Sequence, residues 1–325
     1  MGLKQEILKL LEENREQYLS GQEIANRLSF SRTAVWKSIK ALKEDGYEID
    51  AISNKGYRLD TTCDLLSAEG IRCYLSSDYH NVPIEVHQQI DSTNTEAKKQ
   101  AMNGAPHGTV ILAEEQTAGR GRLGRTFYSP KGTGIYMSMI LRPNLHLSQS
   151  IHVTTSVAVA ICQVIERLTN QKPQIKWVND IYLNQQKICG ILTEAVTDFE
   201  SGNIESAIVG IGLNLFPGEE IPEELENIAG ALYDTEEEAG RADRNRLMAQ
   251  IVNHLLKETE DLSLSQVYIQ QNFILGREIQ IQDSGNLRKA TAMAICPDGR
   301  LLVKEADGSE SKLSYGEVSV VLPEG

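Results

Sequence analysis

At 325 residues, with 41% hydrophobic and 24% charged side chains, the chain can hold two or three domains with cores of their own. No apolar run approaches the roughly 18 residues of a membrane span, and Met1-Gly2-Leu3-Lys4-Gln5-Glu6 lacks the order of a signal peptide, so a cytoplasmic protein with no membrane contact is expected. The net charge of −13 speaks against nucleic acid only if it is uniform, yet residues 1–59 hold ten Lys/Arg and nine Asp/Glu and leave −14 to the rest.

Leu3, Ile7, Leu8, Leu10 and Leu11 recur at helical spacing through residue 13 and predict an amphipathic helix. Ser20-Gly21-Gln22-Glu23 is a capping box for a second helix carrying Ile24 and Leu28. Ser29-Phe30-Ser31 makes a turn, and Ser31 caps a third helix whose stripe is Val35, Ile39 and Leu42, leaving Arg32, Thr33, Trp36, Lys37 and Lys40 on other faces. Within residues 27–43, Arg27, Arg32, Lys37, Lys40 and Lys43 have no acidic companion. Tyr47–Ala51 and Gly56–Leu59 read as a hairpin, with Lys55 and Arg58 available for phosphates.

Three helices with a tight second turn, then a hairpin, form the pattern of a winged helix-turn-helix whose third helix enters the major groove. The candidate DNA-binding residues are Arg32, Thr33, Trp36, Lys37, Lys40 and Lys55. A helical protein-interaction module is the alternative. Residues 60–64 read as a linker, which gives domains over 1–62, 67–272 and 273–325.

The middle alternates helices and strands: a helix over Ser92–Met102, strands at Thr109–Glu114 and Gly134–Leu141, and a buried helix from Ser148 to about Leu168. Short strands follow at Gln174–Val178, Ile181–Leu183, Lys187–Ala195 and Ile204–Leu215, with a turn at Gln185-Gln186, implying a mixed sheet with helices on one side. Residues 217–240, with the run Glu236-Glu237-Glu238, read as a solvated acidic insertion. Helices over Arg244–Lys257 and Leu264–Gln271 precede strands at Glu278–Gln282, Lys289–Ile295, Leu301–Lys304 and Val318–Leu322, spaced as in a small β-barrel. The whole is an α+β multidomain chain. Five scattered cysteines, none in C-x-x-C spacing, suggest neither disulfides nor a zinc site.

Within this frame the densest stretch is Gly119-Arg120-Gly121-Arg122-Leu123-Gly124-Arg125. Glycines let a ligand approach the main chain and guanidinium groups suit phosphate or carboxylate oxygens, so the loop wants a polyanion, and like charge should keep it mobile until one arrives. The spacing matches G-x-G-x-x-G and nearly matches a P-loop. Both need a helix to open next, whereas Arg125–Gly132 is strand and turn chemistry, so neither is adopted. A solvated basic turn is the plain alternative.

Four more stretches carry polar residues of defined use. Asp91-Ser92-Thr93-Asn94 offers hydroxyls and amides at a helix start, and Lys176-Trp177-Val178-Asn179-Asp180 sets a lysine, an amide and a carboxylate at a strand end. Lys187-Ile188-Cys189-Gly190-Ile191-Leu192 adds a lysine, and Gly210-Ile211-Gly212-Leu213-Asn214 ends in an amide. Singly these read as a cap, an edge and a turn.

Taken with the loop, and in this order, the stretches closely resemble the biotin protein ligases, and the N-terminal helices match the members that also repress the biotin operon. The resemblance covers the whole chain. It implies a class II synthetase-like ligase domain and a C-terminal SH3-like barrel, and an activity that joins biotin and ATP into biotinyl-5′-adenylate, then biotinylates one lysine of a biotin carboxyl carrier protein. It implies catalytic roles for Lys187, Arg122 and Arg120; biotin contacts by Ser92, Thr93, Asn94, Gln116, Arg120, Gly121, Arg122 and Lys187; and ATP or adenylate contacts by Arg122, Lys176, Asn179, Asp180 and Asn214.

Mg²⁺ would enter largely on the nucleotide phosphates, with Asp180 a weak ligand, and no tightly bound cofactor is implied. The partners implied are the carrier protein of acetyl-CoA carboxylase and other biotin-dependent carboxylases, operator DNA, and a second copy in an adenylate-bound homodimer. The chain departs from the family at Val178, where proline is common, and at Leu123, where many relatives have a third basic residue. A biotin-sensing transcription factor without catalysis, and a lipoate or octanoate ligase, are the competing readings.

Overall fold

The computed structural model describes the chain except at residues 1, 62, 144, 198–199, 201–202, 219–220, 227, 236–242, 260–261, 284–285, 315–316 and 321–325. It divides into two units, residues 1–81 with 235–253, and residues 82–234 with 254–325.

In the first unit the apolar periodicity becomes α1 (Leu3–Glu12), α2 (Gly21–Leu28) and α3 (Arg32–Glu44), which bury Ile7, Leu8, Leu11, Ile24, Val35, Ile39 and Leu42 in one core. The Ser20 hydroxyl accepts from Glu23 N at 3.1 Å, while the Glu23 carboxylate takes Arg27 at 2.6 Å. Ser29 ends α2 at φ 60°, and Ser31 caps α3 by accepting from Ala34 N at 3.2 Å. β1 (Ile49–Ile52) and β2 (Gly56–Leu59) pair antiparallel, and Leu19 exchanges both backbone bonds with Tyr57 at 2.9 Å.

The segment expected to be a linker is not one. Cys63 is buried in the core of the unit, Asp60 N donates to Glu48 O at 2.7 Å, and Arg15 donates to Cys63 O at 3.1 Å, because a small apolar side chain there fills a gap that composition does not reveal. A short α4 (Ala68–Arg72), unread because Gly70 sits inside it, follows.

The second unit is built on a seven-stranded sheet. In chain order it runs β3 (Ile84–His87), α5 (Thr93–Met102), β4 (Thr109–Ala113), β5 (Gly134–Leu141), α6 (Ser150–Thr169), β6 (Gln174–Lys176), β7 (Asp180–Leu183), β8 (Gln186–Thr197) and β9 (Ile204–Asn214). The strand order is β3-β4-β5-β9-β8-β7-β6, parallel between β3 and β4 and antiparallel elsewhere. Every residue of β4 and β5 is buried, so both sheet faces are covered there, contrary to the expectation of helices on one side. α5 packs on the face of Ile208 and Gly210, and α6 on that of Thr193 and Val209, since side chains alternate along a strand. The β7–β8 turn falls one residue earlier than expected, on Asn184-Gln185, since a two-residue hairpin turn of this kind needs positive φ and these residues adopt 49° and 67°.

α6 is long and apolar enough to cross a membrane by length and composition, contrary to the sequence expectation, but most of it is buried against β7, β8 and β9. The acidic segment also departs from expectation. Its residues 228–233 dock by backbone, Lys187 N donating to Ile228 O at 2.8 Å and Tyr233 N to Leu215 O at 3.0 Å, with Leu232 buried. Glu223, Glu224 and Glu226 remain exposed, while the run 236–238 lies outside the described residues.

α7 (Arg244–Glu258) and α8 (Gln266–Gln270) lead to β10 (Glu278–Asp283), β11 (Asn286–Ile295), β12 (Leu301–Glu305), β13 (Glu310–Leu313) and β14 (Glu317–Val320), an antiparallel sheet ordered β13-β12-β11-β10-β14. β13 escaped the sequence reading because Glu310-Ser311-Lys312-Leu313 buries Leu313 alone.

Candidate functional site

The start of α5, the arginine-glycine loop and the ends of β6 to β9 enclose one cavity of about 1000 Å³. Ser92, Thr93, Asn94, Gln116, Arg120, Gly121, Arg122, Lys176, Asn179, Asp180, Lys187 and Asn214 all line it. Residues spread over more than a hundred positions are thus gathered by the antiparallel pairing of β8 with β5's neighbour β9.

Two glycines of β9 make this packing possible. A Cβ at Gly210 would overlap the Asn94 carboxamide, and one at Gly212 would overlap the Phe127 ring.

One end of the cavity is neutral and hydrogen-bonded. Gln116 Oε1 accepts from Thr93 N at 2.9 Å and Thr93 Oγ1 at 3.0 Å, while its Nε2 donates to Ser129 Oγ at 2.9 Å. Ser138 Oγ lies 2.8 Å from Thr93 Oγ1 and 2.6 Å from Asn94 Oδ1. Ser92, Thr93 and Asn94 are almost fully buried, so this network is set in place before any ligand arrives. Such a surface grips an uncharged group rich in N–H and C=O.

The other end is cationic. Lys187 Nζ lies 2.8 Å from Asp180 Oδ1, Lys176 Nζ donates to the Tyr182 hydroxyl at 3.3 Å, and Asn179 Nδ2 donates to Ile191 O at 3.0 Å. Across the mouth, Arg122 Nη1 donates to Asn179 Oδ1 at 2.8 Å and Arg120 faces the Glu194 carboxylate at 3.3 Å. The loop makes a one-turn 3-10 helix at Arg122–Gly124, in which Leu123 takes φ 56°, and no α-helix opens from it. This fits the rejection of the dinucleotide and P-loop motifs. Asn214 Nδ2 donates to Gly230 O at 3.0 Å, tying the docked segment to the end of β9.

In the first unit, Arg32, Thr33, Trp36, Lys37 and Lys40 stand exposed on α3, and Lys55 is exposed at the hairpin tip. Trp36 keeps 54% of its surface, an unusual state for an indole. Two expectations change here. Arg58 is held by Asp50 at 2.7 Å and lies over the Tyr18 ring, the hydrogen bond to Asp50 pushing its pKa up, so it is not a spare phosphate ligand. Acidic companions do reach the basic window from just outside it, Glu23 to Arg27 at 2.6 Å and Glu44 to Lys40 at 3.7 Å, because helix neighbours lie four residues apart.

Residues 86–214 match the Biotin/lipoate A/B protein ligase family, residues 4–58 the HTH domain, and residues 274–321 the Biotin protein ligase C terminal domain. The bifunctional ligase/repressor BirA of Bacillus subtilis is 38% identical over 255 residues, covering 78% of this chain and 76% of that protein. BirA of Escherichia coli is 30% identical over 312 residues, covering 94% and 93%. The chain belongs to the bifunctional biotin ligase/repressor family. In fold it is similar to the biotin protein ligase from Aquifex aeolicus in complex with biotin and ATP, with a TM-score of 0.60 and 24% identity over 74% of this chain and 98% of that one.

The cavity and its supports include residues that sequence reasoning missed. Ser129, Ser138 and Glu194 hydrogen-bond to the lining residues Gln116, Thr93, Asn94 and Arg120, and Phe127 and Arg277 line the cavity themselves. No local pattern marks them, since each is recognised only by what lies opposite it. Trp177 Nε1 donates to Gly299 O at 3.0 Å and the Tyr268 hydroxyl to Val178 O at 2.9 Å, so the C-terminal region and α8 brace the 176–180 stretch, whose Trp177–Val178 peptide is cis. Burial pushes the Cys189 thiol far up despite nearby Lys187, which leaves it protonated and unsuited as a nucleophile. Among the described residues no group of three His, Cys, Asp or Glu side chains converges as for a metal, and Asp180 Oδ1 is already shared by Lys187 and Asn179.

Proposed function

We propose that the protein activates biotin with ATP and transfers it to a lysine of a biotin carboxyl carrier protein, and that it represses biotin genes with the adenylate as corepressor. The observation that supports this most is the two-ended cavity, neutral and hydrogen-bonding around Thr93 and Gln116, cationic around Lys187 and Arg122. The neutral end suits a ureido ring. The cationic end suits a carboxylate meeting a triphosphate.

In the first step a biotin carboxylate oxygen attacks the α-phosphorus, a C–O–P bond forms, the bond to the β-phosphate breaks and pyrophosphate leaves. Two anions must approach, and Lys187 and Arg122 offset their repulsion at fixed positions. In the second step an acceptor lysine amine attacks the carbonyl, an amide forms, AMP leaves and the nitrogen loses a proton. Ser92, Thr93, Asn94 and Gln116 hold biotin, with Gly121 allowing close approach of the loop; Lys176, Asn179, Asp180 and Asn214 serve the nucleotide. Magnesium would enter largely on the nucleotide phosphates, with Asp180 a weak ligand.

The exposed face of α3 with Lys55 meets operator DNA, a cytoplasmic role, and two copies joined as a homodimer cover two half-sites. The C-terminal sheet is read as an SH3-like barrel that braces the cavity. Incubation with ATP, labelled biotin and a carrier domain tests the enzyme reading: one labelled lysine with pyrophosphate release is expected. Binding of adenylate without its formation would instead favour a sensor, and preference for octanoate or lipoate the related ligase.

A further inference from the structure

We propose that Glu194 is the latch of the arginine-glycine loop, a positioning residue that retains the adenylate by holding Arg120. The inference rests on the ligase reading above, and it moves Arg120 from screening phosphate to closing the loop.

Glu194 lies on β8, opposite Ile208 of β9, with 20% of its side chain exposed. Its Oε2 accepts from Arg120 Nη1 at 3.3 Å and its Oε1 lies 3.3 Å from Arg120 Nη2, an oxygen for each guanidinium nitrogen. Fork-to-fork pairing of this kind fixes direction as well as distance. Arg120 starts the loop, and the loop is tied to itself by Gly121 N donating to Arg125 O at 2.7 Å and Phe127 N to Gly119 O at 2.8 Å. A hairpin so closed moves as one piece. Two of its attachments to the cavity wall, among the described residues, are Arg120 on Glu194 and Arg122 on Asn179.

The two attachments differ in chemistry. The Arg122 contact is a hydrogen bond to a neutral carboxamide. Glu194 neutralises Arg120, whose charge is spent on holding the loop rather than on phosphate. Because the Arg120 side chain is 48% exposed, the pair is screened by water and opens readily, as a loop must at each turnover. The same Glu194 Oε2 accepts from Asn94 Nδ2 at 2.9 Å, so one carboxylate joins the loop to the neutral end of the cavity.

Glu194→Gln keeps an acceptor for Asn94 and removes the charge that holds Arg120. Chemically prepared biotinyl-5′-adenylate, labelled in biotin, is bound to the full-length protein, and its escape is followed after adding excess unlabelled adenylate. Escape from Glu194→Gln should be about five-fold faster than from the unaltered chain, as loss of a partly exposed ion pair implies. Arg120→Gln, which removes the other half of the pair, should match it, and the double variant should be no worse than either, since both remove one contact. Raising salt should speed escape from the unaltered protein by a larger factor than from Glu194→Gln, because only the former has this ion pair to screen, which a purely structural role would not produce. Equal retention by Glu194→Gln and the unaltered chain, or effects that multiply in the double variant, would overturn the latch. Failure of the unaltered chain to hold the adenylate at all would overturn the ligase reading instead.

Discussion

Two regions of this chain gather basic side chains, and they handle charge in opposite ways. Around the cavity, Lys187 sits 2.8 Å from Asp180 and Arg122 donates to Asn179 at 2.8 Å, so cations are aimed before a ligand enters. On α3, Arg32 and Lys37 project into water and Lys40 has only a loose, exposed contact with Glu44 at 3.7 Å. Aimed charges act at particular atoms of a transition state and need no reorganisation. Exposed ones act together on a polyanion by releasing its counterions. The first region should therefore be sensitive to which residue is lost, the second to how many.

The sharpest way to break that contrast is Lys187→Ala. Pyrophosphate release should fall about 10²- to 10³-fold, the usual cost of one preorganised group facing developing charge. Near-normal release would remove Lys187 from the chemistry. Arg122→Gly comes next, because it cuts the bond to Asn179 that holds the loop tip. Adenylate should escape about tenfold faster, as one charge-assisted hydrogen bond predicts, and bystander proteins should become biotinylated. Unchanged selectivity for the carrier would count against loop closure.

On α3 the expected effects are smaller and cumulative. Arg32→Ala and Lys37→Ala should each lower the slope of log affinity against log salt by about 1, read by titrating operator duplex at several ionic strengths. Lys40→Ala should do less, because Glu44 already offsets part of its charge. A loss confined to one operator position, with no change in slope, would place these residues on bases instead.

The smallest effect lies on the pH axis, at a group that is kept uncharged. Burial, and then the charge of Arg142, hold His107 below its usual 6.5, and its neutral Nδ1 accepts from Arg142 N at 3.0 Å. The unfolded chain takes the proton first, so this contribution to stability is complete above about pH 6.5 and is lost as pH falls from there toward the folded value. Urea midpoints between pH 7.5 and 5.5 should decline, and His107→Asn should flatten that decline.

Much of the architecture was legible because it is local. The stripe Val35, Ile39, Leu42 names the buried face of α3, Ser31 names its cap, and the run from Gly134 to Leu141 names β5 within a residue. The arginine-glycine loop and the four polar stretches were legible for the same reason, each being a short segment whose composition already tells its chemistry. What failed to show had no local signal. β3 is only four residues long, half of β13 is charged, and the packing of Cys63 looks like any linker cysteine until the core around it is seen.

The sequence by itself determined which segments fold as helices or strands and which side chains carry charge and hydrogen-bonding capacity, since periodicity and residue chemistry are properties of neighbours along the chain. Only the tertiary structure decided who faces whom. Arg120 meets Glu194 across seventy-four positions, Asn94 meets the same carboxylate across a hundred, and Gly210 must lack a side chain because Asn94 arrives there. Those apposed pairs are set by sheet order and strand register, and register is a cooperative result of the whole core that no short stretch encodes.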